Sequence, residues 1–327
     1  MKLIIPSLDS PAESARLTGL GFKVEGSTPL AARPGMCELV YDFASAAAAP
    51  ARSRAPARAA SRSTAAAAPA TLPFSGRGNP LSQEGLDQAA SGLGVGLPAL
   101  WAVMTVETKG CGFLADRRPL ILFERHIFHR KTGGRFDASD PDLSSRTAGG
   151  YGKGGANQYD RLARAIALDR QAALESTSWG LGQVMGFNAV AAGYPDAESM
   201  VTAMCQSEDA QLLGMVGFIR DARLARHLKN GDWAAFAQGY NGPEFQKNKY
   251  DEKLRNAATR FGMGPLPSLE VRTAQLFLMY RGYNAGGVDG WFGENTQKAL
   301  MQFQKDNALP VSGRLDDASL VALSRSQ

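Results

Sequence analysis

From residue 78 onward the apolar positions recur every three or four residues, not every second one, the period of a helix with one buried face. Leu100, Trp101, Val103, Met104 and Val106 sit at that spacing within 98–107, and Leu162, Ile166 and Leu174 repeat it across 160–175. Ser207 followed by Glu208 and Asp209 reads as a helix start. The hydroxyl accepts from a free N–H, and the acids suit the positive end of the helix dipole. Leu212, Leu213, Met215, Val216, Phe218 and Ile219 carry that helix on, Asp232 caps the next over 233–238, and 250–261 closes the region. Few stretches alternate as strands do, so residues 78–262 are expected to form one mainly α domain.

The flanks read differently. In residues 1–43, stretches 2–6 and 38–43 have strand character and 10–20 helix character, which gives a small folded piece of no assignable role. Residues 44–77 are expected to be a linker. Over 44–73 they are Ala, Pro, Ser and Arg, with Arg52, Arg54, Arg58 and Arg62 and no acid, too little apolar surface to offset the entropy of ordering. Residues 268–327 contain an internal repeat: Val288, Asp289, Gly290, Trp291, Phe292, Thr296 and Leu300 recur, at an offset of 23, as Val311, Ser312, Gly313, Arg314, Leu315, Ser319 and Leu323. Each unit reads as a glycine turn followed by a hydroxyl-capped short helix.

Charge and cysteine narrow the classes. The formal charge is +5 over 327 residues, which suits nucleic acid, anionic membrane or the anionic polymers of a bacterial wall. The four linker arginines are thin for a polyanion patch, so no nucleic-acid partner is expected. No stretch approaches the ~18 apolar residues of a spanning helix, so no stable membrane insertion is expected either. Cys37, Cys111 and Cys205 form neither a disulfide framework nor a zinc pattern. The opening residues lack the apolar core of a secretory signal, which implies synthesis in the cytoplasm. A role in the wall or periplasm then requires a separate means of delivery, a holin or secretion machinery.

The first candidate for chemistry is Glu107. It lies one helical turn beyond Val103 and Met104 and two beyond Leu100, so it projects on or beside the buried face at the end of its helix. Apolar surroundings and the negative end of the helix dipole both disfavour the carboxylate and raise its pKa. A carboxyl protonated near neutral pH suits protonation of a glycosidic leaving oxygen. Two glycine-punctuated segments accompany it. Residues 178–186 carry Trp179, a flat apolar face, and Gln183, a donor and acceptor for sugar hydroxyls; residues 239–243 carry Tyr240 and Asn241.

Glu107-Thr108, then Gly180-Leu181-Gly182-Gln183-Val184-Met185, then Tyr240-Asn241-Gly242 resemble, in chain order, the goose-type lysozymes and soluble lytic transglycosylases. A closer resemblance is to the N-acetylmuramidase domain of phage endolysins and related wall hydrolases. It rests on Val106 to Phe113, Ile121-Leu122-Phe123-Glu124-Arg125-His126, Ala172 to Gly180, Asp232-Trp233 and Tyr250-Asp251-Glu252-Lys253-Leu254, and covers about residues 85–260. It implies a lysozyme-like all-α catalytic domain acting on bacterial peptidoglycan, with Glu107 as its acid. Two positions depart: Thr108-Lys109 stands where Ser-Ser or Ser-His is usual, and Gly182 interrupts Gly-Leu-x-Gln. Residues 268–327 resemble the three-helix peptidoglycan-binding domain, through Gln275, Gly282-Tyr283, Val288 to Gly293, Thr296, Phe303-Gln304 and Gly313-Arg314-Leu315. That likeness implies that Asp289, Trp291 and Phe292 grip the wall. As a tether, the domain should raise the local enzyme concentration and leave intrinsic cleavage alone.

Several alternatives stay open at this point. Glu175, Glu124 and Asp116 are candidates for a second carboxylate acting as base or nucleophile. In a lytic transglycosylase the sugar's own 6-hydroxyl attacks instead and leaves a 1,6-anhydro product. A secreted antibacterial effector and a non-catalytic wall-binding protein are further readings. His126 and His129 lie three apart near Glu124, but no third ligand accompanies them, so neither a metal nor another cofactor is expected. Cys111 lacks a neighbouring base and is not read as a nucleophile.

Overall fold

The computed structural model describes residues 73–325 except residue 109, together with three strands nearer the N-terminus. The chain divides into two units, 1–68 and 69–327. In the first, β1 (Lys2–Pro6), β2 (Phe22–Lys23) and β3 (Met36–Tyr41) form an antiparallel sheet in the order β1-β3-β2. Lys2 lies opposite Val40, and Phe22 opposite Tyr41. The helix expected over 10–20 and linker residues 44–72 lie outside the described residues.

The second unit is mainly α. α1 (Gln83–Leu93) starts at Ser82, whose hydroxyl accepts from Gly85 N, and ends at Gly94 in the left-handed conformation. α2 (Leu97–Thr108) follows after a turn of 106°. Its Leu100, Trp101, Val103 and Met104 are buried, each such side chain contributing roughly 1.5–3 kcal/mol of burial. Next come β4 (Ile121–Phe123), α3 (Arg125–Thr132), α4 (Asn157–Leu168) and α5 (Arg170–Glu175). The single helical stretch expected over 160–175 is thus two helices. Asp169 takes an extended conformation, φ −160°, and its carboxylate caps Ala172 N, which breaks one helix in order to start the other.

β5 (Thr177–Trp179) and β6 (Val184–Met185) join β4 in a small antiparallel sheet of order β4-β5-β6. Ile121 and Phe123 turn to the core with Trp179 and Val184, whereas Leu122, Ser178 and Met185 form the opposite, more open row. The catalytic unit closes with α6 (Ala197–Met204), α7 (Glu208–Asp221), α8 (Ala225–Asn230), α9 (Trp233–Asn241) and α10 (Tyr250–Met263). α10 runs along α2, and α7 along α1. Ser207 and Asp232 cap α7 and α9 as the sequence indicates, by accepting from Ala210 N and Ala235 N.

Residues 73–77, counted with the linker, instead belong to this unit: the Phe74 ring lies 5.6 Å from that of Trp179. α11 (Leu269–Tyr280), α12 (Glu294–Asp306) and α13 (Asp317–Ser324) make the C-terminal domain around Ala274, Leu278, Leu300, Phe303 and Leu323. The repeat turns close on two buried glutamines. Gln275 Oε1 accepts from Asp289 N and Gly290 N, and its amide donates to Trp291 O and Thr296 Oγ1. Gln304 makes the equivalent set, accepting from Gly313 N and donating to Arg314 O and Ser319 Oγ. No single helix among the described residues is long and apolar enough to cross a membrane.

Candidate active site

Glu107 occupies the last turn of α2, half-buried, above the wholly buried Val103 and Met104. Burial pushes its carboxyl up to about 7, against an opposing hydrogen bond from Asn241. Asn241, at the end of α9, donates from Nδ2 to Glu107 Oε1 at 3.0 Å. Its Oδ1 is buried and has no hydrogen-bond partner among the described residues, which leaves an acceptor beside the Glu107 carboxyl. Tyr250, the first residue of α10, also faces Glu107: burial first, and then the Glu107 charge, raise its phenol.

Three interactions fix the floor of this site. Tyr240 Oη donates to Gly182 O at 2.6 Å and stacks on Phe236. Thr108 Oγ1 donates to Leu181 O at 3.1 Å. Gln211, fully buried on α7, accepts from Leu181 N at 2.8 Å and donates to Met204 O. The turn 180–182 is thereby tied to the helix of Glu107 and to α9. Gly182, where the sequence departs from the family pattern, fits its surroundings: a Cβ there would lie 2.6 Å from the Met215 Cβ.

Other expected site residues have different placements. Trp179 offers no face to a sugar, because it is fully buried in the core with Nε1 donating to Leu174 O. Gln183 spends its amide internally: Oε1 accepts from Ser178 Oγ, and Nε2 donates to Leu120 O and Gly180 O. Its φ of 47° belongs to the turn that these bonds hold. Tyr240 is likewise committed through its hydroxyl. In the C-terminal domain Asp289 accepts from Trp291 N and Gln275 Nε2. Trp291 packs against the catalytic core with Arg260 5.5 Å from its ring, so the catalytic domain covers part of the ring expected to grip the wall. Phe292 remains exposed.

The carboxylate candidates also separate. Glu175 pairs with Lys131 at 2.7 Å and accepts from Gln171; these bonds outweigh desolvation and lower its pKa. It lines a surface cavity with Arg170, Leu174 and Phe187, of which Glu107 is no part. Asp116 is engaged by Arg118 at 2.6 Å. Glu124 continues the register of Leu122 on the open row of the sheet. Burial raises its pKa, opposed by His126, by a hydrogen bond from Tyr151 and by the Arg161 charge. His129 bonds Asp137 at 2.8 Å rather than joining His126, and among the described residues no three potential ligands converge on a metal site. Burial pushes the Cys111 thiol up to about 12, away from nucleophile chemistry. Sequence reading missed Tyr250, Tyr151 and Gln211. Only Tyr250 lay in a motif that had drawn notice.

A raised carboxyl at a buried helix end, beside a small sheet in an otherwise α domain, is the arrangement of a lysozyme-like glycosidase. The chain belongs to the N-acetylmuramidase family, whose model matches residues 96–262. It is a glycoside hydrolase that cleaves between N-acetylmuramic acid and N-acetylglucosamine in bacterial peptidoglycan. Residues 267–323 match the model of a putative peptidoglycan binding domain. The crystal structure of the Burkholderia AP3 phage endolysin is similar at 42% identity and TM-score 0.52, over 59% of this chain and 72% of that one. A search of the curated proteins found no match.

Proposed function

We propose that this muramidase serves as a phage endolysin and that Glu107 is its general acid. The observation that carries the acid assignment is the placement of Glu107 at the end of α2, above the buried Val103 and Met104 and 3.0 Å from Asn241 Nδ2. That burial raises the carboxyl to about 7, which keeps a useful fraction protonated at neutral pH. Glu107 gives its proton to the glycosidic oxygen as the bond from C1 of N-acetylmuramic acid breaks. Water then adds at C1 and returns a proton to the carboxylate. The free Asn241 Oδ1 would accept from an N-acetyl N–H or a sugar hydroxyl. Glu124 is the carboxylate proposed to assist the water, because burial raises its pKa despite its His126 partner, whereas Lys131 and Arg118 hold Glu175 and Asp116.

The endolysin reading is supported by the likeness to the AP3 phage enzyme. Passage through a holin-type pore is the proposed route to the wall, and export by secretion machinery the alternative. Lysis of producing cells only on co-expression of a holin would support the first. Turbidity loss of outer-membrane-stripped walls with wild type and Glu107→Gln tests the acid. Lysis by wild type alone is expected, with fragments ending in reducing N-acetylmuramic acid. Lysis by both would mean that another residue is the acid, and fragments lighter by one water would replace hydrolysis by transglycosylation.

A further inference from the structure

The C-terminal domain is joined to the catalytic domain by a buried ion pair. Arg272, on α11, and Glu208, the first residue of α7, are 1% and 0% exposed. The guanidinium engages both carboxylate oxygens, with Nη2 2.7 Å from Oε1 and Nη1 on Oε2. Its Nε also donates to Gly110 O at 2.9 Å. The same carboxylate accepts from Gly112 N at 2.9 Å and from Leu81 N at 3.0 Å. A small apolar cluster surrounds this pair: Phe113, Leu276 and Val288, with Cys111, Met279 and Tyr280. Tyr280 adds a hydrogen bond to Gly78 O at 2.8 Å.

Gly110 and Gly112 belong to the loop that leaves α2 directly after Glu107 and Thr108. Gly110, at φ +87°, presents its carbonyl to Arg272, and Val288 O lies 3.2 Å from where a Cβ would stand. The exit of the acid's helix is therefore held from one side by Glu208 and from the other by the C-terminal domain. A buried carboxylate and a buried carbonyl both need their donors. Gly112 N and Leu81 N give the carboxylate part of its set, and one side chain from the other domain completes it and supplies the donor for Gly110 O. A module that only tethers would have no cause to complete the hydrogen bonding of this loop.

We infer that the C-terminal domain is a structural part of the catalytic unit and that Arg272 is a positioning residue, fixing the end of the helix that carries Glu107 through Gly110 and Glu208. The inference goes beyond wall binding and rests on Glu107 being the acid. It also departs from the expectation that the domain leaves intrinsic cleavage unchanged.

The test uses the full chain and short soluble wall-glycan fragments, whose cleavage needs no anchoring. Arg272→Met, Arg272→Lys and the double variant Arg272→Met/Glu208→Gln are compared with wild type for kcat, KM, pH profile, pelleting with insoluble walls and thermal unfolding. Arg272→Met is expected to lower kcat at least tenfold and to move the alkaline limb of kcat/KM below its position near pH 7, as water reaches Glu107. Pelleting should stay within twofold of wild type. Arg272→Lys keeps the charge without the fork and should fall between the two. The double variant removes the stranded buried charge, so it should recover part of the stability, the glutamine NH2 still opposing Gly112 N or Leu81 N, but not kcat, because Gly110 O still lacks its donor. It also supplies the readings if Arg272→Met fails to fold. A double variant with wild-type kcat and pH profile would overturn the inference and leave the pair a purely structural joint. If Glu107→Gln still cleaves the fragments, the acid assignment fails, while the rates of the Arg272 variants still report whether the two domains are coupled.

Discussion

Asn241 Nδ2 donates to Glu107 Oε1 at 3.0 Å across 134 positions of sequence, and this one contact opposes the rise of the carboxyl's pKa. Burial favours the neutral carboxyl, whereas an N–H donor favours the ionised one. Burial is the larger effect, and the balance falls at about 7. Without the amide, the carboxyl would hold its proton further into the alkaline range.

Asn241→Leu should therefore move the alkaline limb of kcat/KM upward, by about one pH unit for a hydrogen bond to a charged group. The plateau should fall, because the variant also loses the free Oδ1. Initial rates on soluble glycan between pH 5 and 9 check both effects; a limb that moves down would contradict the assigned direction.

The raised carboxyl also has a cost in stability. Glu107 binds its proton more tightly folded, near pH 7, than unfolded, near 4.5, so its unfavourable contribution is absent below pH 4.5, grows as pH rises, and is complete above 7. The size is about 3 kcal/mol, to order of magnitude. Glu107→Gln, which stays neutral throughout, should melt higher than wild type at pH 8 and at the same temperature at pH 4. Calorimetry at the two pH values tests this independently of activity.

Chain order alone made the site's motifs legible, and helical period most of its helices, because both are local signals. Contacts set by distant partners were not. Glu208 satisfies the local rule for a helix start equally well on a surface or in a core, and it is Arg272, 64 residues away, that decides between them. Trp179 and Gln183, framed by glycines, look like ligands for sugar. The three-residue and two-residue strands beside them are too short to show a period, so nothing signalled that these side chains face inward or bind their own turn. The C-terminal repeat was visible because each unit contains its own turn and helix. Its glutamines escaped the pattern because Gln275 and Gln304 are not 23 residues apart.

One of those glutamines offers a way to test wall binding apart from cleavage. Gln304, on α12, closes the second turn away from the Arg272 joint, and Gln304→Leu strands Gly313 N and Ser319 Oγ and removes one of the donors to Arg314 O. Loss of these bonds should destabilise the C-terminal domain by about 3 kcal/mol. Pelleting with insoluble walls should weaken while cleavage of soluble fragments holds, the reverse of the pattern expected for Arg272→Met. Equal losses in both assays would show that the second turn also supports the catalytic unit.

The second carboxylate is tested by a pair of conservative changes. Glu175 is braced by Lys131 and Gln171 at the end of α5. Glu175→Gln should cost no more than about 1 kcal/mol of stability and leave kcat within twofold. Glu124 lies at the edge of the open sheet row with Tyr151 and His126 as partners. If it assists the attacking water, Glu124→Gln should lower kcat by a factor on the order of 100 or more with little change in KM. Mass spectrometry of the products sharpens the result. A slow Glu124→Gln variant that still gives reducing N-acetylmuramic acid supports a base acting on water, whereas unchanged kcat with 1,6-anhydro ends in both proteins supports a single-acid mechanism in which the substrate's own hydroxyl attacks.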